Sequence, residues 1–317
     1  MVYDERKRQS KRLQLIRSSC VSKHQSRPDY PGGFFHCMFS YMSFEIPTSE
    51  DVIHALIAKP GKSFDLKDRP TRNEDLFADK HVARASTEED AHAINTLQDT
   101  LFAEGKQALL VILQGIDTAG KSGTIKSVFS VTSPLGLNVT AFKKPTDLEL
   151  EHDYLWRVHK AAPRKGFIGI FDRSHYEDVL VVKVRELADK DTIKRRYDQI
   201  NAFEKHLTEN GTRILKFMLH ISKDTQAERL RSRLKEPHKR WKFNPGDLAD
   251  RELWDDFMDA YETMVEKCST DHAPWYVVPS DSKSRRNAMI ARIIRGTLEE
   301  MAPEYPDPGW KSEDYNF

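Results

Sequence analysis

A glycine-rich segment in the first half of the chain carries residues that could hold a row of phosphates. Gly115, Gly120, Lys121 and Ser122 satisfy the pattern G-x-x-x-x-G-K-[ST], directly after an apolar run and directly before helical sequence. Glycines let the backbone curl so that its N–H groups point at one anion, and the lysine adds positive charge. A glycine turn that binds nothing is the weaker alternative. We expect the loop to bind phosphate through Gly115, Thr118, Ala119, Gly120, Ser122 and Gly123.

Two carboxylates and an arginine are expected beside that loop. Asp117 lies inside it, where phosphate would repel it unless a metal ion lay between them. Asp172 ends another apolar run, the position from which a strand presents a carboxylate to Mg²⁺, and Arg173 follows. We predict Asp117, Lys121, Asp172 and Arg173 as catalytic residues, with Mg²⁺, or Mn²⁺ in its place, on Asp117 and Asp172. The alternatives are turn formation for Asp117 and capping of the next helix for Asp172.

Further positive charge is concentrated in two places. One is a basic cluster around Trp241, where small P-loop kinases carry a lid that closes over the transferring phosphoryl group and excludes water. The other is a pair of lysines at the end of the second apolar run. Ordinary solvated surface charge is the alternative for both. We expect phosphate contacts from Lys143, Lys144, Arg229, Arg233, Lys239, Arg240 and Lys242.

The reaction type is indicated by which motifs the sequence lacks. It contains no H-R-D catalytic loop and no N-K-x-D base-recognition motif. A phosphate oxygen, with a second pKa of about 6, is already ionised near neutral pH and needs no general base to attack. Positioning, a metal ion and arginines then suffice for phosphoryl transfer.

These residues must be positioned by an α/β fold. Apolar runs at 108–113, 137–142, 166–171, 213–220 and 275–278 alternate with helical sequence, which predicts a doubly wound parallel sheet of five strands. The predicted helices between these strands include 147–160 and 175–187. We divide the chain into a disordered or mis-assigned segment at 1–44, an N-terminal extension at 45–106 that packs on the core, a P-loop kinase domain at 107–305 with a helical lid at about 229–250, and a tail at 306–317. The basic start lacks the apolar run and cleavage site of a signal peptide, and Met42 is an alternative start.

Composition excludes several classes of function. The chain has 317 residues with 50 basic and 49 acidic side chains, a net charge of +1, so no global field favours nucleic acid or a membrane surface. Its 3 cysteines are scattered, which indicates a reducing, cytoplasmic compartment and no structural zinc. We found no apolar stretch of the roughly 18 residues that a spanning helix needs.

The motifs together resemble the polyphosphate kinase 2 family. The resemblance rests on segments 115–124, 142–145, 153–159, 172–179 and 239–242, and extends from about residue 64 to 305. It implies a thymidylate-kinase-like P-loop fold, Mg²⁺ dependence, inorganic polyphosphate and a purine nucleotide as substrates, and a homodimer or homotetramer. The sequence at 175–178 is similar to that of the subgroup that accepts AMP as well as ADP. This similarity implies nucleotide contacts from Tyr176, Glu177 and Asp178. Asp172 departs from that subgroup, whose members often have Asn there.

Two other functions remain open at this point. One is an ATP-dependent kinase of a nucleotide or small metabolite, since the fold alone does not define the phosphoryl donor. The other is a nucleotide-binding switch or scaffold, against which Arg173 and the arginine-rich lid argue. For Glu177 and Asp178, stabilisation of a helix N-terminus is an alternative role.

Overall fold

The computed structural model describes residues 46–315, so the predicted segment 1–44 lies outside the described residues. Helices and strands alternate along most of this range. The helices are α1 Ser49–Leu56, α2 Lys80–Glu104, α3 Lys121–Val128, α4 Asp147–Leu150, α5 Trp156–Ala161, α6 Val181–Val184, α7 Lys190–Glu209, α8 Lys223–Lys235, α9 Gly246–Glu252, α10 Trp254–Cys268 and α11 Lys283–Met301. The strands are β1 Ile57–Ala58, β2 Ala108–Gln114, β3 Leu137–Ala141, β4 Ile168–Asp172, β5 Thr212–His220 and β6 Trp275–Pro279.

The strands form one sheet in the order β1-β6-β5-β2-β4-β3. The pairs among β2 to β6 are parallel, which confirms the predicted α/β fold with a parallel sheet. The prediction of five strands was wrong by one within the described range. Ile57–Ala58 adds a two-residue antiparallel edge strand against β6. So short a strand leaves no alternating pattern in the sequence.

The central strand β2 delivers the glycine-rich loop. All seven of its residues are buried, because β4 and β5 flank it in the sheet and helices cover its faces. Leu113 pairs with Asp172, so β2 and β4 end at the same level. The loop after β2 and the residues after β4 therefore meet at the carboxyl edge of the sheet, where ligands bind in open α/β folds.

Two helices that were expected to be continuous are interrupted. The sequence predicted helices over 147–160 and 175–187, but the first is divided into α4 and α5. The second begins as a 3-10 turn, His175–Asp178, and continues only as the short α6. Arg173 has a left-handed backbone with φ of 65°. This conformation turns the chain sharply after β4. The interruption of the predicted helix lies further on, at Leu180, whose φ of −103° and ψ of −84° are not helical.

Helix α2, which belongs to the predicted extension, packs against α11. The buried carboxylate of Asp90 on α2 accepts hydrogen bonds from Arg292 and Arg295 of α11, at 2.9 and 3.0 Å. Asp79 caps the start of α2, and Gly105 ends it in a left-handed conformation. These contacts hold the N-termini of α2 and α11 on the side of the molecule that also carries the phosphate loop. Within residues 46–315, no helix is long and apolar enough to cross a bilayer.

Candidate active site

The glycines of the loop adopt conformations that other residues would strain. Gly120 has φ of 112°, and a Cβ there would lie 2.0 Å from Nη1 of Arg286. Gly115 has φ of 152°, and a Cβ there would meet the carbonyl oxygen of Leu219 at 2.9 Å. The loop is therefore packed tightly between β5 and α11, and its curvature depends on both glycines.

Lys121 is the first residue of α3 and is buried at the base of the loop. Its Nζ donates a hydrogen bond of 2.6 Å to the carbonyl oxygen of Gly115. Burial and the charge of Arg173 lower the pKa of Lys121, against the opposing effect of Asp117 and Asp172. No carboxylate within the described residues forms an ion pair with Lys121, so its charge is available to an anion in the loop.

Asp117 and Arg173 form an ion pair across the mouth of the loop. Nη2 of Arg173 lies 2.5 Å from Oδ1 of Asp117. Burial alone would raise the pKa of Asp117, but Lys121 and Arg173 outweigh it and hold that pKa below its ordinary value. The pKa of Arg173 is raised because Asp117 and Glu177 outweigh its burial. Both groups are therefore charged at neutral pH.

Asp172 and Ser122 lie at hydrogen-bonding distance. The hydroxyl of Ser122 donates to Oδ2 of Asp172 at 2.9 Å, which connects the start of α3 to the end of β4. Within residues 46–315, no group of three or more His, Cys, Asp or Glu side chains could enclose a metal ion. A site with few carboxylates fits Mg²⁺, because this ion commonly completes its coordination with water and substrate phosphates. Asp172, Ser122 and Asp117 are the donors that fit that arrangement.

A cleft of about 600 Å³ opens above the loop. It is bordered by the loop, the end of β3, the turn after β4, and the basic cluster of α8 and the 3-10 turn Pro237–Lys242. Most residues predicted to bind phosphate meet here. The charged residues that line it are Asp117, Lys121, Lys143, Asp172, Arg173, Arg229, Arg233, Lys239, Lys242 and Lys283.

Four predicted phosphate ligands do not line the cleft: Gly115 and Ala119 of the loop, and the cations Lys144 and Arg240. Lys144 is exposed beyond its border, whereas its neighbour Lys143 lies on it. Arg240 is turned back onto its own segment, where its Nε donates to the carbonyl oxygen of Leu234 at 3.1 Å. Adjacent cations in a run point in different directions, so composition alone could not separate them.

Arg229 is placed differently from the prediction. Its guanidinium donates to the carbonyl oxygens of Thr118 and Ala119 in the loop, at 2.9 and 3.0 Å, and to those of Ser280 and Asp281 after β6. The guanidinium is held by these backbone acceptors, so in this structure Arg229 stabilises the loop.

Arg286 of α11 supports the loop from behind and was not predicted. It is 2% exposed, and its Nη1 donates to the carbonyl oxygen of Ala119 at 3.0 Å. Burial and the nearby Arg229 lower the pKa of Arg286 to about 9. Lys283, also on α11, lines the cleft and was missed as well. The run of cations directly after the last strand, at 283–286, was the available signal.

At the lid, Arg233 is held by an acidic residue. Its Nη1 lies 2.8 Å from Oδ2 of Asp247, at the start of α9. Burial and repulsion from Asp117 raise the pKa of Asp247 to about 6, although Arg233 acts in the opposite direction. This lid cation is therefore paired with a carboxylate whose pKa lies close to neutral pH.

The predicted nucleotide contact at Tyr176 does not fit the structure, because this side chain is fully buried. Its hydroxyl donates to Oε1 of Glu204 at 2.8 Å and accepts from Nζ of Lys216 at 2.8 Å. Lys216 also donates to Oε2 of Glu204 at 2.6 Å and to the carbonyl oxygen of Cys268 at 2.7 Å. His175 contacts Glu204 at 3.2 Å. We call Tyr176, His175, Glu204 and Lys216 the core polar cluster.

Glu177 and Asp178, also predicted as nucleotide contacts, are half-buried. Burial raises the pKa of Glu177, although Arg173 and Lys121 act against it. Burial likewise raises the pKa of Asp178, whose carbonyl and carboxylate oxygens accept from Nη1 of Arg196 at 2.9 and 3.4 Å. Their contact with a nucleotide stays a prediction.

The fold and the site together define a phosphotransferase of the P-loop kinase class, since a parallel sheet presents a glycine-rich phosphate loop beside an Asp-Arg pair. The chain belongs to the polyphosphate kinase 2 family, whose model matches residues 77–306. This confirms the resemblance that the motifs indicated.

Individual relatives extend the comparison. An AMP/ADP-polyphosphate phosphotransferase of Meiothermus ruber is 50% identical over 220 residues, which cover 69% of this chain and 82% of that protein. An ADP-polyphosphate phosphotransferase of Rhodopseudomonas palustris is 39% identical over 259 residues, or 78% of this chain and 90% of that protein. The crystal structure of polyphosphate kinase 2 from Arthrobacter aurescens TC1 has a TM-score of 0.80 at 40% identity, and the match covers 85% of this chain and 95% of that one.

Proposed function

We propose that the protein transfers a phosphoryl group between inorganic polyphosphate and ADP, forming ATP, and that it also accepts AMP. The observation that carries this proposal is the continuity of positive charge in one cleft, from Lys121 at the loop to Lys239 and Lys242 on the lid. A polyanion of many phosphates requires cations beyond a single phosphate loop. The relatives named for polyphosphate transfer to ADP, and one named for AMP and ADP, support the acceptor assignment.

The side chains indicate how the transfer proceeds. An oxygen of the terminal nucleotide phosphate attacks the terminal phosphorus of polyphosphate. One P–O bond forms, the bridging P–O bond breaks, and the shortened polyphosphate leaves with the electron pair. Lys121 and Arg173 stabilise the negative charge on the transferring group, and the attacking oxygen needs no base because it is already ionised.

Mg²⁺ is the metal we assign to this site, with Mn²⁺ able to replace it. When bound, it would neutralise charge on the phosphate oxygens and so favour attack. Asp172 and Ser122 would hold it together with Asp117, since these are the oxygen donors at the loop. Asp117 would then exchange part of its contact with Arg173 for the ion.

We further propose that the protein acts in the cytoplasm as a homodimer or homotetramer. The scattered cysteines support the reducing compartment. Membership of the polyphosphate kinase 2 family supports the homo-oligomer, as the resemblance of the motifs implied. Light scattering on the purified protein would measure the oligomeric state, and a monomer at micromolar concentration would contradict that part of the proposal.

The test of the function is a direct assay. Purified protein is incubated with long-chain polyphosphate, Mg²⁺ and either ADP or AMP, and the nucleotides are separated by chromatography. We expect ATP from ADP, and ADP followed by ATP from AMP. The Lys121→Ala and Asp117→Ala variants should lose transfer. Lys126→Ala is the matched control, because this exposed lysine lies on α3 but not on the cleft.

Either of two results would contradict the proposal. Absence of product with folded wild-type protein would exclude polyphosphate as the donor and favour ATP as the donor. Near-normal rates in Lys121→Ala or Asp117→Ala would remove the role assigned to that residue.

A further inference from the structure

A second, smaller cleft adjoins the active-site cleft. Its volume is about 280 Å³, and it shares Arg229, Ser232 and Lys283 with the cleft above the loop. The N-termini of α2 and α11 form its far side, through Lys80 and Arg84 on α2 and Ser282 and Ser284 at the start of α11. A long anion that is bound at the phosphate loop and extends past Lys283 would enter this cleft directly.

Cations without internal partners border the second cleft. Within the described residues, the side chains of Lys80, Arg84 and Lys283 form no hydrogen bond and no ion pair. Lys80 and Arg84 are one helical turn apart on α2, so they lie on the same face. All four arginines of α11 contrast with them, since each has partners within the protein: Arg285, for example, donates to Phe77 and Glu74.

The electrostatics at Lys283 favour a ligand of negative charge. Burial lowers the pKa of Lys283, and repulsion from Arg229, Lys239 and Arg286 lowers it further, with Glu236 acting against them. No side chain caps the first turn of α11 at this place, so its dipole adds to the positive potential. An anion bound here would relieve that repulsion.

Two carboxylates, Asp281 and Glu228, also line the second cleft, but they offset only part of the charge of its four cations. Asp281 accepts hydrogen bonds from the N–H of Ser222 and the hydroxyl of Thr71, each at 2.9 Å, which hold its carboxylate in place. Glu228 is exposed beside Arg229, whose guanidinium is held by backbone carbonyls. Lys80, Arg84 and Lys283 remain for a ligand.

We propose that polyphosphate continues from the phosphate loop past Lys283 into the second cleft, where Lys80 and Arg84 bind its distal phosphates. This inference rests on the proposed function and adds the direction in which the chain leaves the active site. It makes α2, outside the sheet domain, part of the substrate site. It also predicts that recognition of long chains depends on residues that a short chain cannot reach.

The test compares chain lengths in the Lys80→Gln/Arg84→Gln double variant. Its KM for long-chain polyphosphate should rise about tenfold, because each lost phosphate contact with a cation weakens binding. Its KM for tripolyphosphate should change by less than about twofold, since so short a donor is held at the loop. The plot of log KM against log salt concentration for the long chain should also become less steep.

A matched control removes the same charge elsewhere. Lys190→Gln/Lys194→Gln changes exposed lysines on α7 that border neither cleft, and should leave both KM values at the wild-type level. The proposal is overturned if the Lys80/Arg84 variant binds long chains normally, or if KM rises equally for both chain lengths. Failure of the proposed function itself is distinguishable, because wild-type protein would then transfer nothing from polyphosphate of any length.

Discussion

The buried charges of Lys216 and Glu204 in the core polar cluster are paired with each other, whereas the cations of the active-site cleft are paired only in part. In the cluster, the ammonium of Lys216 has Glu204, Tyr176 and a backbone carbonyl as partners within 2.8 Å. In the cleft, Lys121 contacts only a neutral carbonyl oxygen within the described residues, and Lys283 contacts no acceptor. Charge satisfied within the protein stabilises the fold, whereas charge left without a counterion is available to an anionic ligand.

The two regions are joined by a short segment of chain. Arg173, at the cleft, and Tyr176, in the cluster, are three residues apart on the turn after β4. Tyr176 and His175 fix this turn to α7 and β5 through Glu204 and Lys216. The core polar cluster therefore holds in position the arginine that we propose acts on the transferring phosphoryl group.

The largest effect is expected when charge is removed from the cleft. Arg173→Ala should reduce the rate of transfer on the order of 10³-fold or more, because an arginine on a transferring phosphoryl group contributes that much. The free energy of unfolding should change by less than about 1 kcal/mol, since the pair with Asp117 is partly solvated. Steady-state kinetics and urea unfolding measure the two quantities.

The control for this variant is Arg213→Ala, which breaks the exposed Arg213–Glu300 pair. Arg213 lies at the start of β5, away from the carboxyl edge of the sheet that carries the cleft. It should leave the rate unchanged. A rate loss below about tenfold in Arg173→Ala would mean that Arg173 only orients Asp117, and would remove the contrast between the two regions.

The next largest effect is expected when a charge is removed from the core polar cluster, where stability rather than activity should fall. Lys216→Met leaves the Glu204 carboxylate buried without its counterion, and should lower the free energy of unfolding by about 3–5 kcal/mol. The double variant Lys216→Met/Glu204→Met should be less destabilised than the single one, because it leaves no unpaired charge. Urea unfolding measures both.

Lys205→Met, which breaks an exposed pair with Glu209 on the same helix as Glu204, should cost no more than about 0.5 kcal/mol. If Lys216→Met were as mild as this surface control, the core polar cluster would not hold the turn after β4.

The cleft was easier to predict from the sequence than the cluster. Gly115 to Ser122 and the Asp172-Arg173 pair are contiguous in sequence and follow apolar strands, so local pattern alone brings them to one edge of the sheet. Lys121, Lys143 and Arg233 were also predicted at the cleft that they line. The parallel α/β fold followed from the same runs.

The cluster could not be predicted in the same way, because it joins three separate segments. Tyr176 was given a nucleotide contact because the sequence at 175–178 is similar to that of the AMP-accepting subgroup, whereas the structure buries its side chain against Glu204 and Lys216. Lys216 did leave a signal, as a lysine inside an otherwise apolar run that becomes β5. A charge there requires a buried partner, but the sequence does not say that the partner is Glu204. Arg229 lines the cleft as predicted, but its partners are backbone carbonyls, and its contact with phosphate stays a prediction.

Asp247 is paired less completely than Glu204 in the core polar cluster, and its contribution to the free energy of unfolding should depend on pH. Burial and Asp117 raise its pKa from 3.8 to about 6, so the folded protein holds this proton more tightly than the unfolded chain does. The contribution of Asp247 to stability is therefore present below about pH 4 and is lost as the pH rises to 6 and above. Relative to wild type, Asp247→Asn should gain on the order of 1 kcal/mol between pH 4 and 7.

Unfolding free energies measured across this pH range in both proteins check the prediction. If the two curves ran parallel, Asp247 would titrate as an ordinary exposed carboxylate. Asp247 and Arg233 would then form a fully compensated ion pair, like Lys216 and Glu204 in the core polar cluster.

The smallest effect is expected at Lys283, and it has the opposite sign for stability and for binding. Lys283→Gln removes repulsion from Arg229, Lys239 and Arg286, and should raise the free energy of unfolding by about 0.3–0.5 kcal/mol at low salt. At about 1 M salt the gain should disappear, because the screening length falls to about 3 Å. The KM for polyphosphate should rise in the same variant, since that repulsion is what favours an anion. A loss of stability at low salt would instead show that Lys283 has a favourable internal interaction, and would place it with the paired charges of the core polar cluster.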